Sequence, residues 1–429
     1  MAAFKTVKGF RDFFPEDIAL RNFIFDTWRR VARRYGFVEY EAPFVESTDL
    51  YRRKSGEEIV KQLFCFKDKA DREISLRPEV TPSLARMAAA RQRDYRKPLK
   101  WFQIGSCFRY EEPQEGRTRE FIQFNADILG DGSVAVDAEL VALSIDVMRE
   151  FGATQEDFVI RLSTRELWKG FLDQHNIAPE QQPAFLQIID KIERARPDET
   201  ETRLAPFGIS LGEVRAFMDT ADSDHPVFAE LKANLTARGL WDFIRIDATI
   251  VRGLAYYTGT VFEVFDLKHD LRAVAGGGRY DQLCSVMSGG AVDMPAAGFA
   301  MGDVVLGILL SKTPGAQFKL IDSLAEQTRI DVSVIIADET KRLDALAAVQ
   351  TLRAAGLRVD YSFNAAKMNK QFQSAEAQKA RAAVIFGNEY PQVAIKDLAN
   401  RQQTNVDIAE LETSLLALLK TAALGPLVA

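Results

Sequence analysis

The sequence has few of the residues on which many catalytic centres depend. Its 429 residues include only three cysteines and three histidines. The cysteines are isolated and lack the paired spacing of a disulfide framework or a zinc site. Because histidine is the commonest acid–base and metal-binding side chain, its scarcity argues against a catalytic or metal centre built on imidazole.

The chain also lacks a long apolar run. Stretches such as VVLGILL are far too short to cross a bilayer, and the opening MAAFKTVKGFRDFF has no apolar signal-peptide segment. We therefore expect a cytoplasmic protein with no membrane partner. The net charge of −6 gives no general attraction to nucleic acid, although a local basic surface suffices for phosphate contacts. Most basic clusters are solvated faces, and binding to a nucleic-acid backbone is the alternative for the cluster of Arg91, Arg93, Arg96, Lys97 and Lys100.

The overall composition is that of a globular protein, with 47% apolar and 27% charged residues. The length predicts two or three domains. We expect one domain over residues 1–320, interrupted at about 165–240 by a helical insertion that is rich in Gln and Glu and broken by prolines. A composition break at 311–327 predicts a linker, and residues 328–429 are predicted to form a second domain.

Hydrophobic periodicity predicts several elements of the first domain. An amphipathic helix is expected over Glu16–Arg34, followed by a strand over Phe37–Glu41. A second helix is expected over Val136–Phe151, and the apolar residues 298–310 predict a buried helix.

The second domain alternates predicted strands with predicted helices. The strands are Ile330–Ile336, Leu357–Tyr361, Ala382–Phe386 and Val393–Ile395, and the helices are Lys341–Ala355 and about Gln371–Ala380. This order predicts a small α/β domain with a mostly parallel sheet, whose apolar strands are buried on both faces.

The stretch from Trp101 to Leu129 is predicted to form two strands joined by a charged loop. In the second strand the alternation places Gln123, Asn125 and Asp127 on one face and apolar residues on the other. Because the first strand is apolar, the sheet should be central and the polar face should line a cavity. The loop carries Arg109, Glu111, Arg117 and Arg119, and a solvated hairpin loop is the alternative interpretation.

Other polar residues lie where predicted elements end. Glu79 follows a predicted strand and precedes a helix that Thr81 opens, so it either satisfies helix N–H groups or faces the same cavity. The stretch VRGLAYYTGTVFEVF, residues 251–265, places Arg252, Tyr256 and Tyr257 on an irregular segment, where a tight turn with packed tyrosines is the alternative. AGGGRYD at 275–281 allows close backbone approach but fits neither the dinucleotide fingerprint nor the P-loop.

These segments together resemble the histidyl-tRNA synthetases, a family of class II aminoacyl-tRNA synthetases. GFRDFFPED, with the following helix and strand, resembles motif 1, whereas LRPE with Thr81 and FRYEEPQEGRTREFIQF resemble the substrate loop and motif 2. VRGLAYYTGTVFE is similar to the peptide that distinguishes the histidyl enzymes, and AGGGRYD followed by GFAMG resembles the approach to motif 3. The last hundred or so residues resemble the class IIa anticodon-binding domain.

The resemblance implies an α+β fold: a class II catalytic domain, with an antiparallel sheet and helices, a helical insertion and a C-terminal α/β anticodon-binding domain. It implies a homodimer with L-histidine, ATP and tRNA(His) as partners, and Mg²⁺ accompanying ATP through ligands that the sequence does not assign. Histidine would attack the α-phosphate of ATP to give histidyl-adenylate, and the 3′-terminal ribose of tRNA would take the histidyl group.

The resemblance also implies roles for individual residues. Arg109 and Arg252 would act in catalysis beside the α-phosphate and the histidine carboxylate. Arg117, with Glu111, would bind the rest of ATP. The remaining histidine-binding residues would be Glu79, Thr81, Gln123, Asp127, Tyr256, Tyr257 and Tyr280. Adenylation needs fixed cations rather than a side-chain nucleophile, which suits a chain poor in histidine.

One departure from the family pattern matters, and a second can be accommodated. The histidyl pattern usually continues GFAMGxER, but Val305 stands where the motif 3 arginine would meet ATP. Asp127 stands where many bacterial relatives have Glu, which is one methylene longer. The missing arginine favours a rival, a catalytically silent histidine sensor like the regulatory subunit of ATP phosphoribosyltransferase. The VRGLAYY peptide and the C-terminal domain favour the synthetase.

Overall fold

The computed structural model describes residues 4–55, 61–251 and 257–423, which divide into two compact units, Met1–Leu320 and Ile321–Ala429. The described strands of the first unit are β1 (Val38–Glu39), β2 (Val45–Ser47), β3 (Cys65–Lys67), β4 (Glu73–Leu76), β5 (Leu99–Phe108), β6 (Glu120–Leu129), β7 (Phe158–Thr164), β8 (Ile244–Ile246), β9 (Thr260–Asp266), β10 (Ala275–Arg279) and β11 (Ala296–Gly302). Its helices are α1 (Pro15–Arg34), α2 (Thr48–Ser55), α3 (Thr81–Arg91), α4 (Val134–Glu150), α5 (Arg165–Gln174), α6 (Gln182–Ile189), α7 (Pro197–Leu204), α8 (Leu211–Asp219), α9 (Ala229–Ala237), α10 (Leu283–Ser288) and α11 (Asp303–Lys312). The next helix, α12 (Pro314–Thr328), begins in the first unit and ends in the second.

An eight-stranded sheet organises the first unit, in the order β1-β5-β6-β11-β10-β9-β7-β8. The pairs between β5 and β7 are all antiparallel, whereas β1 and β8 pair parallel to their neighbours at the two edges. A separate antiparallel sheet has the order β2-β4-β3. The predicted fold class, a largely antiparallel sheet with helices, is confirmed.

The central hairpin forms as its alternation predicts. β5 and β6 pair along their whole length, with Gln103 opposite Asn125 and Gly105 opposite Gln123. Cross-strand partners share a face, so the polar residues of β6 face one side of the sheet. The apolar face packs on α1, where Trp28 stacks on Phe124 with ring centroids 5.6 Å apart. The predicted helices at α1 and α4 are confirmed.

Between β7 and β8 the described elements are helices α5 to α9 with short 3₁₀ turns at Ala205–Phe207, Pro226–Phe228 and Trp241–Phe243. Trp168 packs against Phe171, Phe185 and Phe217, which gives this region its own aromatic cluster. This is the region of the predicted helical insertion, whose bounds as a domain remain a prediction.

One prediction for the end of the first unit is wrong. Residues 298–310 are not one buried helix, because β11 extends to Gly302 and α11 begins only at Asp303. The run is apolar without a clear period, and pairing with β6 and β10 makes its first part a strand. The segment 311–327, predicted as a linker, contains the boundary between the two units and is largely α12, which starts with proline in the first helical turn, a position that proline favours.

The second unit contains β12 (Val332–Ile336), β13 (Val359–Tyr361), β14 (Ala382–Phe386), β15 (Gln392–Asp397) and β16 (Gln403–Asp407), with helices α13 (Arg342–Ala354), α14 (Met368–Ala377) and α15 (Leu411–Ala423) and 3₁₀ turns at Glu339–Lys341 and Ile408–Glu410. The sheet order is β13-β12-β14-β15-β16. Only the pairs of β12 are parallel, so the predicted mostly parallel sheet is wrong and the sheet is mixed. The sequence misses β16 because this edge strand is polar and largely exposed, and therefore carries no apolar signal.

Among the described helices, none is by itself long and apolar enough to span a bilayer. One sharply bent pair, Asp303–Lys312 with Pro314–Ala325, meets the length and composition test only when its two helices are joined.

Candidate active site

The polar face of β6 lies against very small residues of β11. Gly298 is opposite Asp127, Ala300 is opposite Asn125, and Gly302 is opposite Gln123. Small residues in a strand allow a ligand or another backbone to approach the sheet closely. Of the polar residues of this face, Gln123 lines a cavity.

The carboxylate of Asp127 lies in close contact with Gly298. A Cβ added to Gly298 would overlap Oδ1 of Asp127, so only glycine is compatible with the carboxylate at this position. The hydroxyl of Tyr280 donates a hydrogen bond to the same Oδ1. Oδ2 is buried and has no hydrogen-bond partner within the described part of the chain. Burial raises the pKa of Asp127 to about 7, and the Tyr280 bond offsets part of that rise.

Further buried polar atoms around Asp127 have no partner among the described residues. They are the hydroxyl of Tyr40, Nε2 of Gln103 and Nδ2 of Asn125. Burial, followed by the charge of Asp127, raises the pKa of Tyr40 well above its ordinary value. Buried polar groups in folded proteins are normally paired, so this cluster is suited to a polar ligand. We call Tyr40, Gln103, Asn125, Asp127 and Tyr280 the polar pocket.

Sequence reasoning missed Tyr40 and Gln103. Gln103 is the one amide in an apolar strand, and its place in the polar pocket follows from its pairing opposite Asn125. The hairpin register could have identified it, because residues at odd positions of β5 share the face of Asp127. Tyr40 follows β1, and its N–H donates to the carbonyl of Phe102 on β5. Nothing in the sequence indicates that contact.

The other side of the polar pocket is formed near β10. The buried ring of Tyr257 lies against this strand, since a Cβ added to Gly278 would stand 2.9 Å from its Cδ1. Gly278 is itself opposite Gly298, the neighbour of Asp127. The structure thus brings Asp127, Tyr257 and Tyr280 to one region. Arg252 and Tyr256 lie outside the described residues.

Glu79 and Thr81 lie at the strand-to-helix junction that the sequence predicts. Thr81 is the first residue of α3, and among the described residues no side-chain hydrogen bond caps that helix at Val80, its N-cap residue. Glu79 instead accepts a hydrogen bond from Lys54, whose side chain is only 1% exposed, against 13% for Glu79. The helix-capping interpretation of Glu79 is therefore wrong. Arg109 is adjacent, since its Nε donates to the carbonyl of Pro78 at 3.1 Å.

A cavity of about 230 Å³ extends from Gln123 under the loop between β5 and β6. Its charged lining residues are Arg109, Glu111, Arg117, Glu263 and Arg272. The Nε of Arg117 lies 2.9 Å from Oε2 of Glu111, and the guanidinium of Arg109 lies 5.0 Å from the ring centre of Phe121. Three guanidinium groups facing one cavity suit a polyanion. We call this space the arginine cavity.

The motif 3 position also lies in the arginine cavity. Val305 lines it from α11 and brings no charge. Asp303, at the start of that helix, accepts from the N–H of Ile122 at 2.9 Å and pairs with Arg11 at 2.8 Å. These contacts fix the beginning of α11 to β6. The sequence did not single out Arg272, the third cation of the cavity.

A polar pocket joined to a cationic cavity, both on a largely antiparallel sheet, is the arrangement implied by the resemblance to class II aminoacyl-tRNA synthetases. Comparison with known proteins defines the family more narrowly. The family model for histidyl-tRNA synthetase matches residues 9–303, and an anticodon-binding domain model matches 331–418. The chain belongs to the histidyl-tRNA synthetase family.

Individual relatives agree over nearly the full length. A histidine–tRNA ligase of Opitutus terrae is 40% identical, covering 95% of this chain and 96% of its own. The chloroplastic/mitochondrial histidine–tRNA ligase of Arabidopsis thaliana is 37% identical, covering 94% of this chain and 85% of its own. The crystal structure of histidyl-tRNA synthetase from Nostoc sp. PCC 7120 superposes with a TM-score of 0.74 at 26% identity, covering 97% and 100% of the two chains.

Proposed function

We propose that this chain is a histidine–tRNA ligase that activates L-histidine with ATP and transfers it to the 3′ end of tRNA(His). The observation that carries the proposal is the polar pocket, with its buried and half-satisfied Asp127, next to the arginine cavity. One space suits an uncharged polar ring and the other suits a polyphosphate. The family membership supports the same activity.

In this proposal Asp127, Tyr257 and Tyr280 surround the imidazole of histidine. Oδ2 of Asp127 accepts a ring N–H, because that oxygen otherwise has no partner among the described residues. A pocket built on hydrogen bonds to a ring rejects analogues that lack them, since they leave its polar atoms unpaired. Tyr256 is assigned to the same group by the resemblance alone.

Glu79, Thr81 and Gln123 are proposed to hold the α-amino group. Glu79 already stabilises the ammonium group of Lys54, so its surroundings are compatible with a cation. Gln123 lines the arginine cavity and shares its sheet face with Asp127. The α-amino end of histidine would therefore lie between the polar pocket and ATP, with the carboxylate directed to the α-phosphate.

ATP is proposed to bind in the arginine cavity through Arg109 and Arg117, with Glu111 orienting Arg117. Arg109 and Arg252 would stabilise the negative charge that develops as the histidine carboxylate attacks the α-phosphate. Pyrophosphate leaves, and no side chain is needed as nucleophile.

Glu111 and Glu263 suit Mg²⁺ brought by ATP, because both carboxylates line the arginine cavity. Magnesium in nucleotide sites commonly uses one or two carboxylates together with substrate phosphates and waters. When bound, the ion would neutralise phosphate charge.

A homodimer is proposed through the motif 1 region. The edge strand β1 and the segment after it expose apolar side chains, with Val38 64% and Phe44 45% exposed. Exposed apolar residues on an unpaired sheet edge favour association. Light scattering after size exclusion should give twice the mass of the 48.1 kDa chain.

The charging of tRNA separates the ligase from the silent histidine sensor. Purified protein is incubated with labelled histidine, MgATP and a tRNA(His) transcript, with a tRNA for another amino acid as control. The proposal predicts histidine in an ester bond to tRNA(His) only. Histidine binding without charging would favour the sensor, although the comparisons do not favour that alternative.

A further inference from the structure

Arg272 is the cation of the arginine cavity that the reaction described above does not use. It belongs to the segment between β9 and β10, which is anchored on both sides. The N–H of Leu267 donates to the carbonyl of Asp157 at 3.0 Å, and that of Val274 to the carbonyl of Val264 at 2.8 Å. Its side chain is half-buried and lines the cavity together with Arg117.

The aliphatic part of Arg272 lies close to the neutral motif 3 position. A Cβ added to Gly116 would stand 3.4 Å from Cγ2 of Val305 and 3.8 Å from Cδ of Arg272. Both side chains therefore flank the glycine that precedes Arg117. The charge that Val305 does not provide on this side of the loop is provided by Arg272.

Within the described part of the chain, Arg272 has no ion-pair partner, whereas Arg117 pairs with Glu111 and Arg279 pairs with Asp137. Burial lowers the pKa of Arg272, and the positive charges of Arg117 and Arg194 lower it further, whereas the negative charge of Glu111 acts in the opposite direction. A guanidinium held beside another cation, facing a cavity, is a site for an anion that carries more than one charge.

We propose that Arg272 binds the polyphosphate of ATP together with Arg117 and compensates for the valine at position 305. This inference rests on the proposed function for the identity of the nucleotide. A polyphosphate is the part of ATP that relieves the repulsion between Arg272 and Arg117. The adenine ring carries no charge and would not do so.

The test measures MgATP affinity by calorimetry for wild type, Arg272→Lys, Arg272→Ala and Arg272→Glu. Dissociation constants should rise in that order, with a loss of about tenfold or more for alanine, because charge-assisted hydrogen bonds are lost. Lysine should retain most of the affinity. Equal MgATP affinity in all four proteins would overturn the proposal.

Tripolyphosphate and histidine serve as the probes that locate the effect. Arg272→Ala should weaken tripolyphosphate binding by the same factor as MgATP and leave histidine affinity within threefold of wild type. A loss confined to MgATP would overturn the assignment to the phosphates. An equal loss for histidine would indicate general disruption and would also overturn it.

Arg245→Ala is the matched control. Arg245 is exposed on β8, lines a neighbouring cleft that Arg272 also borders, and does not line the arginine cavity. The substitution removes one positive charge near Arg272 and should leave MgATP affinity unchanged. A loss equal to that of Arg272→Ala would show that the overall charge, rather than Arg272, is responsible.

A positive charge introduced at position 305 should compensate for the loss of the positive charge at position 272. The double variant Arg272→Ala, Val305→Arg is expected to recover at least half of the loss in MgATP affinity, measured on a logarithmic scale. A folded double variant as weak as Arg272→Ala would contradict the compensation. These binding measurements do not depend on catalysis, so failure of tRNA charging and failure of this inference are separate outcomes.

Discussion

Asp127 accepts a hydrogen bond from Tyr280 on one carboxylate oxygen, and its other oxygen is buried without a partner among the described residues. The protein thus fixes the orientation of the carboxylate but leaves its second oxygen for a ligand. An imidazole N–H satisfies that oxygen. The polar pocket is complete only with a ligand present, which is the physical basis of the proposed selectivity.

Asp127→Asn should lower histidine affinity by about 100-fold, because the amide replaces an anionic acceptor with a group that is half donor. MgATP affinity should stay within threefold, since Asp127 does not line the arginine cavity. Calorimetric titration of both ligands checks this. Unaltered histidine affinity would remove Asp127 from the pocket.

The same variant should change how stability depends on pH. The folded pKa of Asp127 is raised from 3.8 to about 7, so the unfolded chain loses this proton first and ionisation destabilises the ligand-free fold as pH rises from about 4 to 7. Tyr40 and Tyr280 remain neutral there, because their pKa values are raised well above 10. Between pH 5 and pH 8.5 the free energy of unfolding of Asp127→Asn should gain roughly 3 kcal/mol relative to wild type. Denaturant titrations that show parallel pH dependence would contradict the buried carboxyl.

Gly298→Ala should abolish histidine binding, because the new methyl group overlaps the carboxylate of Asp127. Gly307→Ala is its control. Gly307 lies within α11 with nothing within 4 Å of an added Cβ, so alanine there should raise stability slightly. Histidine titrations of the two variants should differ by more than tenfold. Similar binding by both would show that the fit at Gly298 is not needed.

Lys54 and Glu79 offer a test of the α-amino site. Lys54→Met should destabilise the ligand-free protein by about 3 kcal/mol, because it leaves a largely buried carboxylate without its cation. If the α-amino group of histidine pairs with Glu79, saturating histidine restores that charge, and the rise in Tm on adding histidine is larger in the variant than in wild type. An equal or smaller rise would place the α-amino group elsewhere.

The hairpin was predictable because its information is local. Strict alternation over Ile122–Ile128 determines which side chains share a face, whatever the rest of the chain does. By contrast, the run from Gly298 to Gly302 is a strand because β6 and β10 lie on either side of it. Single-sequence periodicity carries no record of those neighbours.

The candidate site shows the same division. Gln123 and Asp127 were found from strand alternation, whereas Tyr40 and Arg272 lie on irregular segments that carry no pattern. Arg272 lines the cavity because of the course that the chain takes between β9 and β10. Its significance became visible only when Val305 and Gly116 were found beside it.

The most direct test of the account is ATP–pyrophosphate exchange measured with each of the twenty amino acids in turn. The account predicts exchange that requires MgATP and histidine, with none of the other nineteen reaching about 1% of that rate, since analogues without the imidazole leave Asp127 unpaired. Exchange supported equally by another amino acid would contradict the assignment of the polar pocket. If no amino acid supported exchange, the proposal that this protein is an enzyme would be contradicted.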